Sequence, residues 1–297
     1  MIHSKRMKIA GVLIVFVGMV VYSSSGFAWT AEQIAAIDAS AGLNIPECVL
    51  VDAANDAMYI SNIEAGGGNY WFDNGTGYIS LVNSDFTVKE IRWVDTQPEN
   101  VINSPKGMAL LGDYLYFNDN KRLMRVALND PKAVEQVVDT EFGGVNDLVA
   151  YDNLIWTSDT FEGKVFAVDP ETGAIAKEIP APASVNGITF FDGKMFAVSW
   201  DLHEVFELDP AGKEEPKAFG LADHFVNLDG IEVLDDGTFI ISDFVGNKVS
   251  TISPDRKTVN TLIEVLYPAD IGLDREKGIL YVPQFYGNQA FAYQLSK

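Results

Sequence analysis

From about residue 46 onward, apolar and polar positions alternate in short runs broken by turn residues, the signature of half-buried antiparallel strands. The stretch Gly187 to Phe191, the turn pair Asp192-Gly193, then Lys194 to Ser199 and Glu204 to Leu208 show the pattern most clearly. It recurs six times, each copy opening on a related phrase: Pro46-Glu47-Cys48, Pro105-Lys106-Gly107, Val145-Asn146-Asp147, Val185-Asn186-Gly187, Leu228-Asp229-Gly230 and Pro268-Ala269-Asp270. Third residues of successive phrases are 59, 40, 40, 43 and 40 positions apart. A period near 40 built from short strands predicts an all-β, six-bladed β-propeller with blades of about four antiparallel strands.

Turn residues fall at one place in the other copies as well: Asn55-Asp56, Gly112-Asp113, Asp152-Asn153, Asp235-Asp236-Gly237 and Glu276-Lys277-Gly278. The second strands rhyme too, each opening near an aromatic ring, as in Tyr59-Ile60-Ser61-Asn62 and Trp156-Thr157-Ser158-Asp159, and such stripes predict packing between neighbouring blades. Two departures stand out. The chain ends at Lys297, just after a third strand over Gln289 to Leu295, so blade 6 needs an outermost strand from elsewhere. Part of Ala35 to Leu43 is one source; the same region also reads as a short helix, because Ala31-Glu32-Gln33-Ile34-Ala35-Ala36 are mostly good helix formers. The long first interval implies an insertion over residues 62–77 carrying Tyr70, Trp71, Phe72 and Asp73, expected to overhang the end of the channel where the inner strands begin.

The N-terminus stands apart from this pattern. Lys5, Arg6 and Lys8 precede an apolar run from Ile9 to Tyr22, and Gly26-Phe27-Ala28 supplies small residues before a cut after Ala28. Residues 1–28 are expected to be a cleaved signal peptide, leaving 29–297 as one propeller domain, periplasmic or secreted and without stable membrane insertion. Removing the signal leaves 18 Lys/Arg against 42 Asp/Glu, a net charge of −24 that argues against nucleic acid and anionic lipid as partners. Cys48 is the one cysteine, so strand pairing rather than an intrachain disulfide must close the fold.

The second residues of the six phrases are Glu47, Lys106, Asn146, Asn186, Asp229 and Ala269, and each should face the axis at one channel mouth. Glu47, Asn146, Asn186 and Asp229 then offer two carboxylates and two amide oxygens, a set suited to Ca²⁺ and unsuited to zinc or copper. The alternative is that these residues merely start strands and bond nearby backbone. Lys106 would hold an anionic substrate group or pair with Glu47. His203 and His224 are candidate general bases, and Phe285 and Tyr286, with Tyr70 and Trp71, are candidate walls of a substrate site.

The ordered set of Glu in copy 1, Asn in copies 3 and 4 and Asp in copy 5, with the phrases Val185-Asn186-Gly187 and Leu228-Asp229-Gly230, resembles the calcium site of the SMP-30/gluconolactonase-like propellers, a superfamily that includes the paraoxonases and diisopropyl fluorophosphatases. The resemblance spans roughly Pro46 to Leu295. It implies a Ca²⁺-dependent hydrolase of a lactone or related ester, with Glu47, Asn146, Asn186 and Asp229 as ligands and Asp229 also as base or nucleophile. One departure is chemical: gluconolactonase-like members typically carry an Arg two residues before the copy 3 Asn to grip a sugar acid, and here that position is Gly144. The competing expectation is a non-catalytic propeller that holds a small ligand or a protein partner, with a structural calcium or none.

Overall fold

The computed structural model describes residues 28–64, 68–98 and 100–297, which form six four-stranded antiparallel sheets. The fold is a six-bladed β-propeller, as the repeat predicts. The expected signal peptide, but for Ala28, lies outside the described residues. The repeated phrases open or lead into the inner strands Pro46–Asp52, Pro105–Leu111, Val145–Tyr151, Val185–Phe191, Leu228–Val233 and Gly272–Asp274. Period-2 alternation lets both faces of each sheet pack on a neighbour. Phe196, Val198 and Val205 of blade 4, for example, share one cluster with Leu228, Ile231, Phe239 and Ile241 of blade 5.

A bulge at the start of each of the first five inner strands aims the functional positions. In blade 1, Pro46 pairs with Asn62 but Val49 pairs with Ile60, so three steps on the inner strand face two on its partner. The same slip separates Pro105 from Met108, Val145 from Leu148, Val185 from Ile188 and Leu228 from Ile231. One extra residue bends the strand and turns the second residue of the phrase toward the channel. The amide released from the ladder finds a side chain: the Cys48, Asp147 and Gly230 N–H groups donate to the hydroxyls of Ser61, Ser158 and Ser242 at 3.0, 3.0 and 2.7 Å. Crowding at the axis explains a glycine after Asn186, since a Cβ at Gly187 would sit 2.4 Å from the Asp229 carbonyl oxygen.

A second repeated device fixes the loop before each bulge. The second strands of blades 2, 3 and 5 end in Asp119, Asp159 and Asp243, all fully buried. Asp119 accepts from the Asn103 and Ser104 amides, and Asp243 from those of Val226, Asn227 and Gly246. Asp159 accepts from Gly143, Gly144, Phe161 and Glu162 at 2.7 to 3.2 Å, which ties both loops beside Asn146 to one carboxylate. Asp159→Ala strands four amides and should cost about 3 kcal/mol or more in urea unfolding; a loss under about 1 kcal/mol would show that water replaces the carboxylate freely.

Ring closure departs from expectation in its position. The outermost strand of blade 6 is Thr30–Ile37, paired antiparallel with Gln289–Ser296 from Thr30 opposite Ser296 to Ile37 opposite Ala290. It therefore begins five residues before Ala35 and includes the whole helix-favouring run. The helical turn in this region is a short 3₁₀ segment, Ala39–Ala41, capped by Asp38. Ladder bonds to an open edge and burial of Ile37 beside Val49, Met58 and Tyr281 outweigh an intrinsic preference of a few tenths of a kcal/mol per residue.

Candidate functional site

Five of the six ring residues, Glu47, Lys106, Asn146, Asn186 and Asp229, are buried and line one cavity of about 730 Å³ at the channel mouth. Ala269, the sixth, is packed into an apolar cluster with Ile63, Phe244 and Phe285. Blades remote in sequence thus bring two carboxylates and two carboxamides to one space. Among the described residues no three His, Cys, Asp or Glu side chains gather as a metal cluster, so any cation here would rest on a mixed carboxylate and amide set.

Three oxygens in this ring lack a hydrogen-bond donor although fully buried: Glu47 Oε2, Asn186 Oδ1 and Asp229 Oδ1. Leaving such atoms unmatched costs on the order of 1–3 kcal/mol each, and more for charged groups. Burial pushes the Glu47 carboxyl well above its usual range; repulsion from Asp229 and Asp270 adds to this and Lys106 opposes it. Burial, reinforced by the Asp147 charge, pushes Asp229 up to about 8. The ring thus presents oxygens that a cation would satisfy and charges that it would neutralise. Two carboxylates and two amide carbonyls fit a hard divalent ion such as Ca²⁺, with water or substrate completing the shell.

One residue further down the channel, a second acidic pair behaves differently. Asp147 and Asp270, the third residues of phrases 3 and 6, stand on opposite blades and are both buried; burial raises both carboxyls, and the charge of Asp270 adds to the effect on Asp147. Asp147 accepts from the Leu148 and Ile188 amides at 2.6 and 2.7 Å. Asp147 has protein donors where Glu47 and Asp229 at the mouth leave buried oxygens without one, which singles out the mouth as the place for an added cation. The signal for the lower pair was the Asp at third positions where other copies have Gly or Cys.

Lys106 does not pair with Glu47 as one reading of the sequence expects. Its ammonium donates to the Tyr70 carbonyl at 2.9 Å, the Ser104 carbonyl at 3.1 Å and Asn120 Oδ1 at 3.2 Å, occupying all three protons, and it lies 4.1 Å from the centre of the Trp71 ring. It makes no ion pair with Glu47. Burial pushes its pKa down to about 8 despite the opposing charges of Glu47, Asp119 and Asp73. Lys106 instead pins the 68–77 segment over the mouth, helped by Asn120, which donates to Asp73 at 2.7 Å.

The insertion does overhang the site, with Tyr70 and Trp71 on the cavity wall. Trp71 packs on Phe161 of blade 3 with ring centres 4.7 Å apart. Phe161 covers Gly144 so closely that a Cβ there would lie 2.4 Å from its ring, so this chain has an aromatic side chain where a residue larger than glycine would project. Opposite, Tyr70 meets Phe285 edge-on at 4.9 Å, and Phe244 contacts both Trp200 and Tyr286 at 5.2 and 5.8 Å. Phe285 and Tyr286 were read from sequence as walls. Phe161, Trp200, Phe244 and Tyr267 were not, although the first three stand in or beside the equivalent turns of blades 3, 4 and 5.

The histidines are not brought to the site. Neither His203 nor His224 lines the cavity, whereas Trp200 and Asp201 just before His203 do. His224 is exposed on a short 3₁₀ turn. Among the groups lining the cavity, the carboxylates of Glu47, Asp201 and Asp229 are the candidate bases.

Similar folds recur among solved structures. A provisionally assigned gluconolactonase superposes with a TM-score of 0.64 at 16% identity, covering 91% of this chain and 93% of its own. An auxiliary nutrient-binding protein from Bacteroides thetaiotaomicron gives 0.66 at 11% identity, covering 86% and 70%. A catalytically inactive virginiamycin B lyase from Staphylococcus aureus, solved with quinupristin, gives 0.60 at 13% identity, covering 91% and 99%. At these identities the likeness is one of fold. No family model matches the chain, and no curated protein matches it in sequence.

Proposed function

We propose that this protein is an exported calcium-dependent hydrolase of a lactone or related ester, acting at the propeller mouth. The observation that carries the reading is the set of unpartnered buried oxygens on Glu47, Asn186 and Asp229, three of the four residues expected as ligands. Asn146, lining the same cavity, would be the fourth. A bound Ca²⁺ would supply Lewis-acid polarisation of the scissile carbonyl. Asp229 is the group to accept a proton from an attacking water, on the carboxylate oxygen that the ion would leave free. Trp71 and the loop pinned by Lys106 shield the site from bulk water. Export rests on the basic, apolar and small-residue order of the first 28 residues.

The test is a panel of lactones and carboxylic esters assayed with chelator-treated protein before and after Ca²⁺ is restored. Turnover that disappears with chelation and returns with Ca²⁺ is the expected result; a panel without calcium-dependent turnover overturns the hydrolase. A second reading, a ligand-holding propeller with a structural ion, is favoured by one observation: no histidine reaches a cavity walled largely by aromatic rings. Tight retention of a ligand without turnover would select it.

A further inference from the structure

Two features of the mouth bear on what enters it. The first is charge. Lys106 is the one Lys or Arg among the residues lining the cavity, and its three ammonium protons are all held by the protein. Glu47, Asp201 and Asp229 share the same space. A substrate carboxylate or phosphate would find repulsion and no free cationic partner beyond an ion in the ring.

The second is the wall. Tyr70, Trp71, Phe161, Trp200, Phe244 and Tyr286 surround the cavity in fixed edge-on or tilted contacts, so a guest meets apolar surface that is already ordered. The apolar surface continues outward. Phe161 is 61% exposed, Tyr286 50% and Val245 43%, and Phe72, Leu202 and Leu266, each next in sequence to a lining residue, are 59, 44 and 57% exposed. Large side chains left in water around one concave opening mark a surface for an apolar ligand.

Building on the hydrolase reading, we propose that the site selects an uncharged lactone or ester whose non-reacting part is an aryl or larger apolar group, seated between the Trp71–Phe161 pair and the Tyr70–Phe244–Tyr286 wall. The carbonyl then faces the oxygen ring while the apolar group lies against the wall and reaches the rim. Phe161 and Tyr286 determine specificity without entering the chemistry. Burying a phenyl-sized group should raise kcat/KM about 100-fold over the unsubstituted ring.

The experiment has two arms. Calorimetry on the full chelator-treated protein uses a phenyl-substituted γ-lactam, which is not hydrolysed, beside a carboxyl-substituted one. Kinetics with Ca²⁺ compare phenyl-substituted, unsubstituted and carboxyl-substituted γ-lactones in the wild type, Phe161→Ala and Tyr286→Ala. The expected result is binding of the phenyl lactam alone, a phenyl preference of about 100-fold, and variants in which that preference for the phenyl over the unsubstituted lactone falls about tenfold, chiefly through KM. Phenyl-lactam binding without turnover of any lactone would sink the hydrolase and keep the specificity. Calcium-dependent turnover favouring the carboxylated lactone, or failure of the phenyl lactam to bind, would overturn the specificity itself.

Discussion

Asp229→Asn and Glu47→Gln should each weaken calcium binding by about 100-fold or more while making the chelated protein more stable, not less. The two effects have one cause. Without a cation, the mouth holds two buried carboxyls whose ionised forms are disfavoured by burial and by each other, and Asp229 is also repelled by Asp147. An amide of the same shape removes that repulsion and with it the charge that attracts Ca²⁺. Thermal melts read both consequences. In chelator at pH 8 the variants should melt a few degrees above the wild type, about 1 kcal/mol in a domain of this size. On adding Ca²⁺ to about 100 times its dissociation constant, the wild type should gain about 2.7 kcal/mol and the variants little. Variants that bind Ca²⁺ as the wild type does would remove the ion from the mouth. Variants that melt lower in chelator would show that the carboxylates serve the fold.

The contrast between the ring and its surroundings shows what the sequence could carry. Repeated phrases and turn pairs are local, and they located the blades, the inner strands and the six mouth positions, because a strand and its hairpin depend on a few adjacent residues. The bulge was visible only in outline: nothing in Val145-Asn146-Asp147 states that Ser158 will take the released amide, although serine recurs at that place in Ser61 and Ser242. Contacts between blades were hidden. Lys106 read as a charge beside Glu47, but its partners are the Tyr70 carbonyl from an insertion 36 residues earlier and Asn120 from its own blade. Within Ala35 to Leu43 the sequence leaves closing strand and helix both open, because Ala31 to Ala36 favour helix; the open edge of Gln289–Ser296 makes Thr30–Ile37 extended. His203 drew attention as a titratable residue near the mouth, yet the turn bearing it presents Trp200 and Asp201 to the cavity.

Calcium affinity should rise steeply with pH at least up to about pH 8, where Asp229 ionises. Burial lifts Asp229 from the carboxylate range to about 8 and raises Glu47 in the same direction, so the metal-free folded protein carries protons in the ring that the unfolded chain has lost. A group whose folded pKa is raised contributes stability that is fully present below the unfolded value, near 4, and is lost as pH rises through the folded value. Chelated protein should therefore become progressively less stable between about pH 4 and pH 8. Asp270 and Glu232, lifted to about 7 by burial, contribute to the same decline, and their part should persist in Asp229→Asn. Ca²⁺ binds the ionised ring and must displace its protons, so each pH unit below 8 should change the apparent affinity about tenfold if one proton leaves and about 100-fold if two do. Titrations at pH 6, 7 and 8 in buffers of different ionisation heat give both the slope and the protons released. A flat profile with no proton release would mean that Ca²⁺ binds elsewhere, on exposed carboxylates already ionised at pH 6, and that the unpartnered oxygens of the mouth await a neutral ligand instead.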